Sequence, residues 1–190
     1  MMQTKTQIKK TWNDIAKEYG GYRRLTWAPV SKFLSEVDSD LLDIGAGNCN
    51  MTREVLARGI KLYAVDFSEQ MLRHAPNKCI KLVADATKIP LKKKFKYITA
   101  IAVLHHMPTE KDRLDFLKEL KRLLSKDGQA IITVKYSLKR GDKILKWANK
   151  HSRYYHIFSK KELAELLDKA KLDYQIKKIR TNYIIKIKNK

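Results

Sequence analysis

The stretch Leu41-Leu42-Asp43-Ile44-Gly45-Ala46-Gly47 decides the fold. A short apolar run leads straight into two glycines separated by one residue. A run of this length, closed at once by turn residues, reads as a buried strand of a parallel sheet. Gly45 and Gly47 let the backbone turn tightly and come close to a ligand, because glycine has no Cβ to clash. The chain then repeats the move. Lys61 to Val65 is a second strand ending at Asp66, and Ile80 to Ala84 is a third ending at Asp85. Tyr97 to Leu104 is a fourth, ending at His105-His106, and Ala130 to Val134 is a fifth. Helical segments fall between them. One covers Met51 to Arg58, and a short one is capped by Ser68. A long one is capped by Thr109, carries Leu114, Leu117, Leu120 and Leu124, and has Gly128 as its expected C-terminal turn. Alternation of this kind is the pattern of an α/β domain with a mostly parallel sheet.

Outward from this centre, residues 5–18 form a helical stripe through Ile8, Trp12, Ile15 and Ala16. A second helix starts near Ala28, with Val30, Phe33, Leu34 and Val37 at helical spacing. On the other side, residues 138–158 are basic and aromatic and are expected to be partly helical. Ser159-Lys160-Lys161-Glu162 is a capping box that opens a helix through Leu163, Leu166 and Leu167. Residues 173–179 and 182–188 then read as an antiparallel closing hairpin. No repeat or linker interrupts the chain, so a single domain is expected over 1–190. In it, residues 1–38 would cover the strand ends and 138–158 would form an insertion beside them.

Composition narrows the classes of function. The 190 residues carry 41 Lys and Arg against 20 Asp and Glu, a net charge of +21. The excess is uneven: residues 135–190 alone hold 17 basic and 5 acidic groups. A field of that sign attracts a polyanion, and nucleic acid is the usual one. No apolar run approaches the roughly 18 residues of a membrane span. The first residues lack the apolar core of a signal peptide, so a cytoplasmic protein with no membrane partner is expected. Cys49 and Cys79 stand in no metal-ligand spacing; reduced thiols and no metal are expected.

Ligands of open α/β sheets bind outside the carboxyl ends of the strands. Three such ends carry acids here: Asp43, Asp66 and Asp85. Asp66 lies 19 residues beyond Gly47, a spacing that suits a carboxylate accepting from a ribose diol. The dinucleotide fingerprint G-x-G-x-x-G fails, because Asn50 stands at its third glycine. The arrangement Asp43-x-Gly45-x-Gly47, then Val65-Asp66, then Ala84-Asp85-Ala86 resembles the class I S-adenosylmethionine-dependent methyltransferases. The resemblance implies a Rossmann-like seven-stranded sheet with an antiparallel C-terminal hairpin. It also implies cofactor contacts from Asp43, Gly45, Gly47, Asp66, Phe67, Asp85, Ala86 and Ala102. In the family the glycine turn packs against the methionine part, the second acid takes the ribose hydroxyls and the third takes the adenine amino group. Cys49 departs from the pattern, standing where many members have a further glycine.

A narrower resemblance lies at the substrate end. Trp12-Asn13-Asp14-Ile15-Ala16, Tyr22-Arg23-Arg24-Leu25-Thr26-Trp27 and Ile101-Ala102-Val103-Leu104-His105-His106 are similar to segments of the tRNA wobble-uridine carboxymethyl methyltransferases. So are Arg153-Tyr154-Tyr155-His156-Ile157-Phe158 and Arg180-Thr181-Asn182-Tyr183. This resemblance implies methyl transfer to the carboxylate of 5-carboxymethyluridine at position 34. Arg23, His105, His106, Arg153 and Arg180 are then the expected catalytic residues, with Tyr154, Tyr155 and Tyr183 bordering the base. Of the two histidines, His105 is the slight favourite to face the substrate. The family also implies the tRNA anticodon stem-loop as a partner and a small zinc-ribbon activator on the free sheet edge at residues 80–84. Two other readings stand beside it: a methyltransferase acting on a small metabolite or quinone, and a non-catalytic RNA-binding relative. The Asn-Pro-Pro-Tyr type motif of amino-group acceptors is absent, since Ala102-Val103-Leu104-His105 occupies that place.

Overall fold

The computed structural model describes residues 3–19, 27–148 and 150–189. Its main sheet has seven strands in the order β3-β2-β1-β4-β5-β9-β8. The strands are β1 (Leu41–Ile44), β2 (Leu62–Asp66), β3 (Ile80–Val83), β4 (Phe95–Ile101), β5 (Leu124–Lys135), β8 (Asp173–Ile179) and β9 (Asn182–Lys188). Strands β1 to β5 pair in parallel, and β9 runs antiparallel to both its neighbours. The switch in strand order after β1 sends successive connections to opposite faces, so β1 is covered on both sides. All four of its residues are buried. Leu42 and Ile44 join the core beneath α4 (Glu110–Leu123) and α5 (Lys160–Lys169), whereas Leu41 joins Val30, Phe33 and Leu34 of α2 (Ala28–Ser35). Side chains alternate between faces along a strand, which gives one short apolar run two cores to fill.

Local signals set the helix starts. Thr4 and Gln7 bond reciprocally, Thr4 N to Gln7 Oε1 at 2.8 Å and Gln7 N to Thr4 Oγ1 at 3.2 Å. That is the capping box that opens α1 (Lys5–Tyr19). Ser68, Thr109 and Ser159 cap α3 (Glu69–Arg73), α4 and α5. No described helix is long and apolar enough to cross a membrane.

Three expectations are corrected. Residues 138–158 are not partly helical: β6 (Gly141–Trp147) and β7 (His151–Ile157) form a separate two-stranded antiparallel sheet. Burial alternates along β6, with Leu145 and Trp147 inward and Ile144 and Lys146 outward, so the period is two. Trp147 packs with Ile15 and Ala16 of α1 and Met71 of α3. Gly128 does not end α4. The helix stops at Leu123, and Leu124 is already extended and paired with Phe95. Gly128 sits inside β5 at a register shift, tied to Asn189 by backbone bonds. Residues 53–58 wind as a 3₁₀ turn closed by left-handed Gly59, not as an α-helix.

Candidate active site

The strand ends open on a cavity of about 250 Å³. The turn after β1 forms one wall. Gly45 and Gly47 both have positive φ, +69° and +55°. Gly45 N and Ala46 N donate to Val65 O at 2.7 and 3.0 Å, which pins the turn to β2. A Cβ on Gly45 would lie 2.3 Å from Val103 Cγ2, whereas one on Gly47 would meet nothing within 4 Å. Gly45 is thus required by packing, and Gly47 presents bare backbone to open space. Cys49 also has positive φ, +58°, the conformation that explains a glycine preference at this position. Its side chain is buried in the core, with Sγ 3.9 Å from Cys79 Sγ, and does not line the cavity.

The acids are held individually. Asp43 accepts from Thr52 Oγ1 and Thr99 Oγ1, both at 2.7 Å. Asp66 accepts from Gly47 N at 2.9 Å and Ser68 N at 2.8 Å. Burial pushes both carboxyls up to about 6, against the pull of those donors. Asp85 is more open. Burial raises its pKa, but Thr87 N–H and the Lys5 ammonium outweigh this and hold it below the usual carboxylate range. Lys5 Nζ lies 3.0 Å from Asp85 and 2.8 Å from Asp112, which lays α1 across the mouth. Phe67, Ala86 and Ala102 complete this half of the lining. Ala102 sits at φ +61° with its N–H given to Thr133, strain of the sort that collects at working sites.

The other end is built from the 3₁₀ turn Leu104–His106, β7 and α1. The two histidines part company here. His105 is 2% exposed, accepts from Lys135 N through Nδ1 at 3.0 Å and stacks on Tyr155 at 4.9 Å. Burial drives its pKa well down, helped by His106, Lys135 and Arg153. His106 is the one that lines the cavity, contrary to the expectation that favoured His105. Its Nδ1 lies 2.7 Å from Tyr154 O, and burial brings its pKa down to about 4 despite that bond.

Arg153 lies 5.7 Å from the Trp12 ring and 5.3 Å from the Tyr155 ring. Its side chain makes no ion pair or hydrogen bond among the described residues, and its buried Nε has no partner there. Tyr155 lines the cavity with it. Three other expected residues do not come to the cavity. Tyr154 is core, its hydroxyl 2.6 Å from Asp142 Oδ1 and 3.1 Å from Pro108 O. Tyr183 packs edge-on to Tyr136 at 5.2 Å. Arg180 is exposed in the β8–β9 turn at φ +51°. Arg23 lies outside the described residues. Sequence reasoning missed Lys5 and gave Trp12 no role. The available signal was spacing: Lys5, Ile8 and Trp12 recur at helical intervals and so share one face of α1.

Residues 42–132 match the family described as methyltransferase domain. The chain is 26% identical over 200 residues to the tRNA (carboxymethyluridine(34)-5-O)-methyltransferase of Schizosaccharomyces pombe, covering 86% of this chain and 87% of that one. Identity is 30% over 131 residues with tRNA (carboxymethyluridine(34)-5-O)-methyltransferase alkbh8 of Xenopus tropicalis, and 29% over 155 residues with the Arabidopsis thaliana enzyme of the same description. The matches take in 67% and 79% of this chain but only 20% and 38% of those two relatives. Among solved structures, the CcbJ methyltransferase of Streptomyces caelestis superposes with a TM-score of 0.78 at 12% identity, over 95% of this chain and 98% of that one. An S-adenosylmethionine-dependent methyltransferase of Clostridium acetobutylicum gives 0.72 at 16%, over 94% and 98%. At such identities the likeness is one of fold.

Proposed function

We propose that the chain, whose residues 42–132 match the methyltransferase-domain family and lie within a seven-stranded class I methyltransferase fold, methylates the carboxylate of 5-carboxymethyluridine at the tRNA wobble position. One observation carries this reading. Arg153 stands in the same cavity as Asp66, buried at Nε and unclaimed by any carboxylate of the described residues. A half-buried guanidinium with no carboxylate partner among the described residues keeps donors free toward the cavity, so the site suits an anion brought by the acceptor. The similarity to relatives described as tRNA (carboxymethyluridine(34)-5-O)-methyltransferases supports the identity of that anion.

The residues present fit S-adenosylmethionine. Gly47 leaves open space where a Cβ would stand. Asp66 keeps lone pairs beyond those given to Gly47 N and Ser68 N, so it would take the ribose hydroxyls. Asp85 and Ala86 would border the adenine, and Asp43, Gly45, Phe67 and Ala102 would flank the rest. When bound, this cofactor supplies a methyl group on a cationic sulfur. The acceptor needs no proton removed, because a carboxylate with a pKa near about 4 is ionised at neutral pH. His106, held neutral down to about 4, is correspondingly a poor base. The work left to the protein is positioning: Arg153 would hold one carboxylate oxygen and leave the other free to face the methyl group. Tyr155 and Trp12 border the base.

The tRNA backbone would meet the excess positive charge of residues 135–190, where Lys139, Lys146 and Lys150 are exposed. A zinc-ribbon activator suits β3, an edge strand with Ile80 44% and Val83 48% exposed. Such a protein would act in the cytoplasm, where tRNA is handled. The test is transfer of labelled methyl from S-adenosylmethionine to tRNA carrying carboxymethylated wobble uridine, with and without the activator. Base-labile label on uridine-34 is the expected result. Cofactor binding without label in either condition overturns the acceptor assignment.

A further inference from the structure

The substrate end of the cavity contains an asymmetry that carboxylate methylation leaves unused. His106 Nδ1 lies 2.7 Å from the Tyr154 carbonyl oxygen. A carbonyl only accepts, so Nδ1 carries the ring proton. Burial lowers the pKa of this histidine to about 4, so near neutral pH the ring has no second proton. Nε2 is therefore a bare lone pair. Tyr154 does not line the cavity and His106 does, which leaves Nε2 as the ring nitrogen available to a ligand. No described residue donates to it.

A carboxylate cannot satisfy this nitrogen, because neither partner would bring a hydrogen. Arg153 is its complement, with donors and no acceptor. Around the two stand aromatic rings, Tyr155 at 4.5 Å from the His106 ring and Trp12 at 5.1 Å. The cavity end thus offers a lone pair, a guanidinium and ring surfaces against which a flat heterocycle can lie. An imide edge, with N–H between two carbonyl oxygens, presents the donor that Nε2 lacks.

We infer that His106 is a specificity-determining residue, whose Nε2 accepts the imide N3–H of the target uracil in a tautomer fixed by the Tyr154 carbonyl. The inference rests on the wobble-uridine reading for the identity of the base. Cytosine has a lone pair at N3 and would set it against the lone pair of Nε2. A site built around a hydrogen bond rejects an analogue that cannot form it far better than an apolar pocket rejects one lacking a methyl group.

The experiment uses two synthetic anticodon stem-loops, with 5-carboxymethyluridine or 5-carboxymethylcytidine at position 34. The wild-type protein, with activator if required, should methylate the uridine form with a kcat/KM at least about 100-fold higher. His106→Ala should lower uridine turnover, raise cytidine turnover by removing the opposed lone pair, and shrink the ratio to within about tenfold. His106→Gln, whose amide oxygen can accept, should restore part of it. Histidine ¹⁵N spectra add a readout independent of turnover: Nδ1 of His106 should be protonated, and Nε2 should shift with the uridine stem-loop and not with the cytidine one. Undiminished discrimination in His106→Ala, or a proton on Nε2 in the free protein, overturns the inference and leaves the acceptor reading intact. Failure of the wild type to methylate either stem-loop overturns both.

Discussion

The two ends of the cavity are finished to different degrees. At the glycine-turn end, every buried acid has its donors within the protein: Thr52 and Thr99 for Asp43, Gly47 N and Ser68 N for Asp66. At the hairpin end, among the described residues, the Arg153 side chain has no hydrogen-bond partner and the His106 ring uses one of its two nitrogens. Buried polar groups are almost always paired, so unpaired ones mark where something else is received. The difference separates a preformed cradle, set by backbone, from an acceptor site that is incomplete without its ligand.

The largest effect that sharpens this contrast is expected from Asp66→Ala. It removes the ribose acceptor and orphans Gly47 N and Ser68 N, so affinity for S-adenosylmethionine should fall by at least about 100-fold in calorimetry. Unchanged affinity would break the assignment of that end to the cofactor. Arg153→Ala should lower methyl transfer by about 100-fold while cofactor affinity stays within about threefold, because truncating a charged hydrogen-bond partner costs about 2–3 kcal/mol at the group it served. A parallel loss of cofactor affinity would show that the two ends are one site.

The smallest effect is that of pH. Asp66 is raised to about 6 in the fold, above the value near 4 of an unfolded chain. Between those values the native protein binds more protons than the unfolded one, so this group's contribution to stability declines as pH rises from about 4 to 6. Ribose hydroxyls donate to the ionised form, so cofactor binding runs the other way. Affinity should be level above about pH 7 and fall by up to about tenfold by pH 5, as titration at graded pH will register. Asp43 titrates in the same range. Asp66→Asn should abolish most of the slope if Asp66 is its source.

The glycine-turn end was the legible one. Its residues are consecutive or sit at strand ends, so order and spacing along the chain already bring Asp43, Gly45, Gly47, Asp66 and Asp85 together. The hairpin end was not. Residues 141–157 carry a period-two pattern only on β6, and basic and aromatic residues hid it. Which histidine faces the cavity depends on a 3₁₀ turn, where neighbours do not alternate as they do on a strand. Tyr154 and Tyr155 do alternate on β7, one into the core and one into the cavity, but the side each takes is set by how the hairpin rests on α1 and the 104–106 turn.

By itself, then, the sequence determined the sheet, its strand-end acids and the caps that start its helices, because these follow from periodicities and contacts a few residues long. Only the tertiary structure decided that His106 rather than His105 meets the cavity, that the Arg153 side chain arrives there with no partner among the described residues, and that Tyr154, Tyr183 and Arg180 do not line it. Those outcomes depend on the packing of a separate two-stranded sheet against elements up to about 150 residues away in the chain, as between Gln3 and Ser152. Contacts of that separation leave no local pattern to read.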